Sequence, residues 1–354
     1  MLSVISLFSG CGGLDLGFEM AGFHPVVAYD IFPSAIITYN NNRKQNIAQR
    51  ADITKLSADE IVKQVKNKLT NEFPLGVIGG SPCQTFSQSN VNPKKDDVRR
   101  TLPGRYAYLL GELNKQHKIH FFVFENVQGI TFKRHEEEFA NFRCLFEESG
   151  FRLYESLLNA KDFSVPQNRA RVFIVGVNKE IYPNSDFIFP EPISKQAKTV
   201  ADAFACTFGA PPWPEPAFYN KSLKPEDIPF HQNHWTMVPR STKFQNGFFK
   251  KDPIPSRSFR KLDWLKPSWT VAYGNREIHV HPSGKRRLSI FEAMILQGFP
   301  VNYVLNGNLS EQVKLVSDAV PPPLAYHLAL AISDFLSSNG TVPRIGISSN
   351  NDSY

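Results

Sequence analysis

The sequence has no long apolar run, no basic leader and few cysteines, and each of these absences argues against a class of protein. No run of about 18 apolar residues occurs along the 354 residues, so we expect no membrane-spanning helix. The first residues, MLSVISLFSGCGG, carry no basic side chain and are interrupted by glycines. This opening predicts a strand followed by a loop, and not a signal peptide.

The four cysteines are Cys11, Cys83, Cys144 and Cys206, and none stands in a CxxC pair or in a Cys/His cluster with zinc spacing. This distribution disfavours a metal site and favours four free thiols. Cys83 lies in GGSPCQTFS, between an apolar run and a predicted helix. A helix N-terminus lowers a thiol pKa, so Cys83 is either a reactive thiolate or a buried structural residue.

The net charge of +7 is concentrated in one segment. Between Arg240 and Arg287 the sequence has twelve Lys or Arg residues against three acids, interleaved with Phe, Trp and Tyr. A local basic excess of this kind is typical of proteins with a polyanion partner. The alternative is a solvated basic face, and charge alone does not decide between the two.

Apolar strands alternate with helical patterns through the first half of the chain. The predicted strands are VISLF, PVVAYD, LGVIGG, HFFVFEN and RVFIVGVN. Such alternation predicts a parallel sheet covered by helices on both faces, with ligands beyond the carboxyl ends of the strands. The loops FSGCGG, YDIF, GSPCQ and ENVQG all fall at such ends.

The sequence becomes rich in proline after about residue 178. Segments such as GAPPWPEPAFYN exclude long helices and central strands. We therefore predict a catalytic and cofactor-binding domain over 1–178 and a loop-rich basic domain over 179–287. Helices are predicted again over 288–340, the last packing back on the first domain, and 341–354 reads as a flexible tail.

The loops at the predicted strand ends contain candidate binding and catalytic residues. Glycines in FSGCGGLDLG let backbone amides approach a ligand, although a purely structural turn has the same pattern. Asp30 and Asp52 follow successive strand ends, where acids commonly bind ribose hydroxyls, so a nucleoside ligand is favoured. Glu125 ends an apolar strand, where desolvation would raise its pKa and let it carry a proton, unless it serves as a cap or ion-pair partner. In QNRARVFIVG, Arg169 and Arg171 offer one arginine for a ligand and one for an acid.

Taken together and in this order, the motifs resemble those of the cytosine-5 DNA methyltransferases of bacterial restriction-modification systems. FSGCGGLDLGF and YDIFPSAIITYNNN resemble the family's cofactor motifs, GSPCQTFS its nucleophile motif, FENV its acid motif and QNRARVFIVG its arginine motif. RRLSIFEAMILQGFP and SDAVPPPLAYHLALAI resemble the last two. The resemblance covers nearly the whole chain except the basic domain.

The resemblance implies an α/β fold. This is the Rossmann-like S-adenosylmethionine-dependent methyltransferase fold with a mixed, mostly parallel sheet, plus a smaller loop-rich target-recognition domain in the basic segment. S-adenosyl-L-methionine is the implied cofactor, and no metal is implied. The implied cofactor-binding residues are Phe8, Ser9, Gly10, Cys11, Gly12, Gly13, Leu14, Asp30, Ile31, Asp52, Ile53, Pro82, Tyr106, Asp318 and Ala319.

The resemblance also implies a mechanism on double-stranded DNA. A cysteine thiolate adds to C6 of a flipped-out cytosine, C5 takes the methyl group, and the cysteine leaves after C5 loses its proton. The implied catalytic residues are Cys83, Glu125 at cytosine N3, Arg171 at cytosine O2, and Arg169. The implied substrate-binding residues are Ser87, Gln84, Asn126, Arg240, Lys243, Arg276 and Arg286.

Some positions depart from the family pattern, and two alternatives stay open. Asp30 replaces the usual Glu, Ile31 the usual aromatic residue, and Ser317-Asp318 the usual Gly-Asn, which leaves the details of cofactor contact undecided. The alternatives are a tRNA cytosine-5 methyltransferase of the same fold and a catalytically impaired DNA-binding relative. We expect a cytoplasmic, nucleoid-associated bacterial monomer that has a cognate restriction endonuclease as its functional partner.

Overall fold

The computed structural model describes residues 2–68, 75–82, 98–193, 196–240, 242–245, 259–270 and 279–342. Cys83, Gln84, Ser87 and Arg276 lie outside these residues, as do the side chain of Lys243 and the predicted tail beyond residue 342. Cys11, Cys144 and Cys206 form no disulfide within the described residues.

The chain forms two compact units, each made of segments that are separated in sequence. The described residues of unit 1 lie within Met1–Asn159, Ala170–Glu191 and Ala325–Asn351, and those of unit 2 within Ala160–Arg169 and Pro192–Leu324. Residues 179–191, predicted to begin the second domain, therefore lie in unit 1, and the C-terminal helices are divided between the units. Arg169 belongs to unit 2, whereas Arg171 belongs to unit 1.

The strands and helices of the described residues follow in chain order. The strands are β1 (Ser3–Leu7), β2 (His24–Asp30), β3 (Ala48–Arg50), β4 (Gly76–Gly79), β5 (Phe121–Val127), β6 (Phe151–Asn159), β7 (Gln167–Asn168), β8 (Ala170–Asn178), β9 (Ala217–Phe218), β10 (Trp235–Thr236) and β11 (Ser268–Trp269). The α-helices are α1 (Gly13–Met20), α2 (Pro33–Arg43), α3 (Ala58–Lys66), α4 (Leu102–Gln116), α5 (Glu136–Glu148), α6 (Val200–Phe208), α7 (Thr242–Gln245), α8 (Ile290–Leu296), α9 (Leu309–Asp318) and α10 (Pro322–Ser338). Short 3₁₀ turns occupy Val98–Thr101, Gln128–Thr131, Lys133–His135, Ala160–Phe163 and Pro225–Asp227.

Unit 1 is built on a seven-stranded sheet with the order β3-β2-β1-β4-β5-β8-β6. Neighbouring strands from β3 to β5 pair in parallel. Strand β8 runs antiparallel to both of its neighbours, β5 and β6. The mixed, mostly parallel sheet is thereby confirmed, with β8 as its reversed strand.

Two glycines let phenylalanine rings of β5 lie flat against the sheet. Gly76 pairs with Phe121, and a Cβ on Gly76 would lie 2.4 Å from that ring. Gly176 pairs with Phe122, and its Cβ would lie 1.9 Å from the Phe122 ring. Phe122 also stacks on Phe146 of α5, with ring centroids 4.7 Å apart. These contacts fix the position of β5 in the core of unit 1.

Helix α8 begins with the capping box that the sequence predicts. Ser289 Oγ accepts from the backbone amide of Glu292 at 3.0 Å, and Glu292 Oε2 accepts from the amide of Ser289 at 2.7 Å. Each end of this reciprocal pair satisfies an amide that has no partner inside the helix. The helix ends at Leu296.

Unit 2 has little regular secondary structure among its described residues, as the proline content predicts. Its strands pair only as the short parallel couples β7–β11 and β9–β10. Aromatic side chains fill its interior: Phe204 packs against Trp213 and Trp264, and Phe208 against Phe291. Large aromatic rings bury much area each, which suits a core with few long elements.

One stretch, Leu309–Ser338, is long and apolar enough by composition to cross a membrane. It consists of two helices, α9 and α10, and 67% of its apolar window is buried in the protein. Burial of this kind identifies core helices.

Candidate active site

Four loops meet at one edge of the unit 1 sheet because the strands before them run in parallel. Strand β1 leads into residues 8–12, β2 ends at Asp30, β4 leads into residues 80–82, and β5 ends in Glu125-Asn126-Val127. The carboxyl ends of neighbouring parallel strands lie side by side, where open α/β sheets bind their ligands. The predicted cofactor loop and the predicted acid therefore share one edge.

The loop after β1 is held in a tight turn by its backbone and by Asp30. Phe8, Gly10 and Gly12 have φ angles of 55°, 54° and 85°, the left-handed region that glycine adopts most readily. The amide of Gly10 donates to Asp30 Oδ2 at 2.9 Å, and the amide of Phe32 donates to Oδ1 at 2.9 Å. These two bonds hold the carboxylate at the end of β2, where acids of such sheets commonly bind ribose hydroxyls.

Side chains beside this loop fit a nucleoside cofactor. Ser9 Oγ is buried and makes no hydrogen bond within the described residues, so a ligand group can satisfy it. Ile31 and Phe32 are 48% and 43% exposed, which gives an apolar surface next to the buried carboxylate of Asp30. Apolar walls with a few convergent polar groups are the usual composition of small-molecule sites. Cys11, Gly13 and Leu14 lie buried at the start of α1.

The loop after β3 carries the second predicted acid. Asp52 Oδ1 accepts from the hydroxyl of Thr54 at 2.7 Å and from its amide at 3.0 Å. These two bonds lower the pKa of Asp52 and keep it ionised. Arg105 of α4 donates through Nε to the carbonyl of Ile53 at 3.0 Å and through Nη2 to the carbonyl of Leu56 at 2.6 Å, which fixes this loop.

Glu125 and Arg171 form a buried ion pair at the end of β5. Arg171 Nε lies 2.9 Å from Glu125 Oε1, and Arg171 Nη1 donates to the carbonyl of Ala170 at 2.8 Å. The register pairs Val127 with Arg171, so the two charged side chains are diagonal neighbours on one face of the sheet. The arginine that pairs with an acid is therefore Arg171. The carboxylate and the guanidinium together present an acceptor and donors side by side.

Residues 80–82 pass close to this pair. A Cβ on Gly80 would lie 2.6 Å from Glu125 Oε2 and 2.9 Å from the Glu125 carbonyl oxygen, so glycine is needed for the approach. Asn126 Nδ2 donates to the carbonyl and to Oγ of Ser81, each at 3.3 Å. Asn126 thus anchors the segment that ends at Pro82, the last described residue before Cys83. This gives Asn126 a backbone-anchoring contact, and its predicted substrate contact stays a prediction.

Arg169 has a different environment from Arg171. Its side chain is fully buried in unit 2, where Nη2 donates to the carbonyl of Ser317 at 2.5 Å and to that of Ala319 at 2.8 Å. Gln297 Nε2 also donates to the Ala319 carbonyl, at 2.6 Å. These two bonds support the segment containing Asp318 and Ala319 and give Arg169 a positioning contact, while its predicted catalytic role stays a prediction.

Two further predicted site residues make contacts inside the protein. Tyr106 is fully buried, and its hydroxyl lies 3.0 Å from the carbonyl oxygens of both Val77 and Val123, to either of which its single proton can be donated, so its polar atom links β4 and β5. Arg286 is buried beside Glu292 and holds it in two bonds of 2.8 and 2.9 Å. Its guanidinium is thus committed to the interior of unit 2 and not to DNA phosphates.

The remaining predicted substrate residue within the described part of the chain is Arg240, which is exposed in unit 2. Sequence reasoning missed Arg105, Ser81 and Gln297. Gln297 stands in the quoted LQGFP motif and Ser81 in GSPC, so motif membership could have indicated both. Arg105 has no such signal, because its partners lie about 50 residues earlier in the chain.

A glycine turn after the first strand, acids at the ends of the second and third strands, and a carboxylate–arginine pair on β5 and β8 define a Rossmann-like methyltransferase. A solved structure of a protein described as a DNA modification methyltransferase encoded within a prophage (E. coli) superposes with a TM-score of 0.75 over 95% of this chain and 100% of that chain, at 25% identity. Type II methyltransferase M.FnuDI of Fusobacterium nucleatum is 31% identical over 97% of each chain. M.MthTI of Methanothermobacter thermautotrophicus is 32% identical over 94% of this chain and 97% of its own.

The model of the C-5 cytosine-specific DNA methylase family matches residues 2–334, and the chain belongs to that family. It is a DNA (cytosine-5-)-methyltransferase that uses S-adenosyl-L-methionine as its methyl donor. The predictions of fold, activity, cofactor and DNA substrate are confirmed. A tRNA methyltransferase and an impaired relative are not favoured. As a DNA-modifying enzyme it is assigned to the cytoplasm.

Proposed function

We propose that Cys83 is the nucleophile, and that Glu125 and Arg171 bind and polarise a cytosine flipped out of double-stranded DNA. The observation that carries the proposal is the buried pair of Glu125 and Arg171, 2.9 Å apart at the carboxyl edge of β5. Gly80, which leads towards Cys83, passes against the same carboxylate. A thiolate, an acid and a cation thus belong to neighbouring strand ends of one sheet.

The residues have separate tasks in the reaction. The thiolate of Cys83 adds to C6, which breaks the C5–C6 double bond and moves electron density to C5 and N3. Glu125 holds or protonates N3, and Arg171 donates to O2, so charge that develops on the ring is stabilised as it forms. After C5 has accepted the methyl group, loss of its proton expels the thiolate and restores the double bond.

The cofactor-binding residues act before this chemistry. Asp30 accepts ribose hydroxyls, Ile31 and Phe32 form an apolar wall for the base, and the amides of residues 10–13 face the polar end of the ligand. The bound S-adenosyl-L-methionine supplies an electrophilic methyl group. Asp52 and Ile53 complete the adenosine side of the site. The support for this arrangement is the buried Ser9 hydroxyl beside exposed apolar side chains.

The basic segment of unit 2 is proposed to recognise the DNA target. Arg240 is exposed there, and Lys243 and Arg276 belong to the same segment. Gln84 and Ser87 follow the nucleophile and are assigned to the target base and its phosphate. Lys and Arg contacts to phosphates release counterions, so DNA affinity should fall steeply with salt. An affinity that hardly changes between 50 and 200 mM salt would exclude this use of the segment.

The biological setting is inferred from the relatives, which are called Type II methyltransferases. We infer that this enzyme protects a specific sequence in a bacterial nucleoid from a cognate restriction endonuclease. It acts as a monomer, because one flipped cytosine needs one set of catalytic groups.

The test is methylation in a host without cytosine methylation. Bisulfite sequencing of DNA from cells expressing the wild type should reveal 5-methylcytosine in one fixed sequence context, and Cys83→Ala should abolish it. Cys144→Ala is the matched control, because Cys144 is a free, exposed thiol and its loss should leave methylation unchanged. Glu125→Gln should retain DNA binding while lowering methyl transfer. Full methylation by Cys83→Ala would refute the role of this thiol.

A further inference from the structure

Four side chains form a polar cluster against the inner side of the glycine loop. Asp15 and Glu19 belong to α1, and Tyr39 and Arg43 belong to α2. We call these four residues the support cluster. None of them stands among the residues that sequence reasoning assigned to the cofactor, yet all lie beneath the turn that carries Gly10 and Gly12.

Arg43 connects the other members of the support cluster to the loop. Its Nε and Nη2 donate to the two carboxylate oxygens of Glu19, both at 2.7 Å. Nη2 also donates to the carbonyl of Gly12 at 3.3 Å, and Nη1 donates to the carbonyl of Tyr39 at 3.4 Å. The guanidinium carbon lies 3.8 Å from the centroid of the Tyr39 ring. The planar fork of arginine makes all these contacts at once, which an ammonium group cannot do.

Gly12 lies directly against this arginine. It has a φ of 85°, and its carbonyl also accepts the first helical amide, that of Leu16, at 2.9 Å. A Cβ on Gly12 would lie 2.8 Å from Arg43 Nη1 and 2.9 Å from Tyr39 Cδ2. The left-handed turn is therefore packed on the guanidinium and the phenol ring. With Gly10 held by Asp30, the loop is fixed at two points, one on each side of Cys11.

Asp15 extends the cluster into the core of unit 1. It is buried in the first turn of α1, and Tyr39 Oη donates to Asp15 Oδ1 at 2.8 Å. Burial raises the pKa of Asp15, against the opposing effects of the Arg43 charge and of the hydrogen bond from Tyr39. Glu19 is also desolvated, which raises its pKa. The Arg43 charge thus stabilises the buried Asp15 and the partly buried Glu19, and its removal would leave both acids without this cation.

We propose that Arg43 is a positioning residue for the cofactor. Its guanidinium sets the conformation of the Gly10–Gly12 turn through the hydrogen bond to the Gly12 carbonyl, and the Tyr39 ring packs against that guanidinium. The inference rests on the cofactor role proposed above for the glycine loop. Arg43 lies behind the loop and does not belong to the Glu125–Arg171 pair. Its loss should therefore weaken S-adenosyl-L-methionine binding while leaving the chemical step intact once the cofactor is bound.

The experiment compares Arg43→Gln, Arg43→Lys and Tyr39→Phe with Lys44→Gln. Lys44 is the next residue, is exposed and carries the same charge, so Lys44→Gln is the matched control. Cofactor dissociation constants are measured by calorimetry on DNA-free enzyme, beside thermal unfolding and kcat at saturating cofactor and DNA. We expect the dissociation constant to rise about tenfold or more in Arg43→Gln, which corresponds to losing one charged hydrogen bond. It should rise less in Arg43→Lys and Tyr39→Phe and not in Lys44→Gln, with kcat within about twofold of wild type throughout.

Two results would overturn the inference. One is a folded Arg43→Gln that binds the cofactor as tightly as wild type, and the other is a fall in kcat at saturating cofactor without a change in the dissociation constant. If Arg43→Gln melts below the assay temperature, Arg43→Lys and Tyr39→Phe decide, and wild-type affinity in both would overturn it. A wild-type enzyme that binds no cofactor at all would overturn the proposed role of the glycine loop itself, which the binding experiment detects before any variant is compared.

Discussion

Replacing Gly80 by alanine would place a methyl group against the proposed catalytic acid. The new Cβ would lie 2.6 Å from Glu125 Oε2, 2.9 Å from the Glu125 carbonyl oxygen and 3.3 Å from Glu125 Cβ. Ordinary contacts of a methyl carbon lie at about 3.5 Å, so the loop and the carboxylate must separate by about 1 Å. The carboxylate is tied to Arg171 at 2.9 Å, and any movement of it disturbs the pair as well.

A displacement of about 1 Å at a catalytic group costs about 10²-fold in rate. We therefore expect Gly80→Ala to lower kcat by about two orders of magnitude and to destabilise the fold by about 1–3 kcal/mol, the usual cost of overpacking. The cofactor dissociation constant should change little, because the glycine loop and Asp30 are untouched.

The assay is incorporation of labelled methyl groups into substrate DNA at saturating DNA and cofactor, with urea unfolding as the check of folding. Gly104→Ala is the matched control, since its Cβ would meet only Leu145 Cδ1 at 3.5 Å inside α4. Alanine for glycine within a helix should stabilise by about 0.5–1 kcal/mol and leave kcat unchanged. A folded Gly80→Ala enzyme with wild-type kcat would refute the argument that Glu125 and its loop are held at contact distance.

Three further predictions concern groups whose roles the structure defines. Arg286→Ala removes the partner of the buried Glu292 carboxylate and should lower the free energy of unfolding in urea by about 3–5 kcal/mol. The control Lys285→Ala, at an exposed position, should change that free energy by less than about 0.5 kcal/mol. Weaker DNA binding by Arg286→Ala at unchanged stability would contradict this. Tyr106→Phe removes the buried hydrogen bond that links β4 and β5 and should cost about 1–3 kcal/mol, while cofactor affinity stays at the wild-type value; a loss of affinity at unchanged stability would instead support the predicted cofactor role. Burial lowers the pKa of His279 and of His281 to about 4, whereas the pKa of histidine in the unfolded chain is about 6.5. The unfolded chain therefore binds more protons between pH 6.5 and pH 4, so this contribution to the free energy of unfolding is complete above pH 6.5 and falls towards pH 4. The fall is at most about 1.4 kcal/mol per pH unit for each histidine. Equal free energies of unfolding at pH 7.5 and pH 5 would exclude that linkage.

Local patterns predicted the sheet and its loops well because they depend on neighbours in sequence. The capping box at Ser289 and Glu292 needs only a spacing of three residues, and it is present. The position of Asp30 at a strand end follows from one apolar run. Features of this kind can be predicted from the sequence, because each sequence pattern lies within one helix or strand.

Burial and long-range pairing could not be predicted in the same way. Counting charges treats every Lys and Arg as exposed, whereas Arg286 is buried and bound to Glu292. Tyr106 falls at the right place in the motif order, but its ring faces the core because the helix rotates it towards β4 and β5. Arg43 meets Glu19 across 24 residues, and no periodic pattern connects α1 with α2.

The reversed strand explains why the arginine of QNRAR reaches the acid of ENV. Arg171 is the second residue of β8, and in a wholly parallel sheet the start of that strand would lie at the amino edge, away from the carboxyl end of β5. A strand rises about 3.3 Å per residue, so Arg171, lying beside Phe122, would be offset from Glu125 by three residues, or about 10 Å along the strands. Because β8 runs antiparallel to β5, its first residues lie beside Val127 and its last beside Phe121. The antiparallel direction of β8 is therefore what allows residues from an early strand end and a late strand start to form one ion pair.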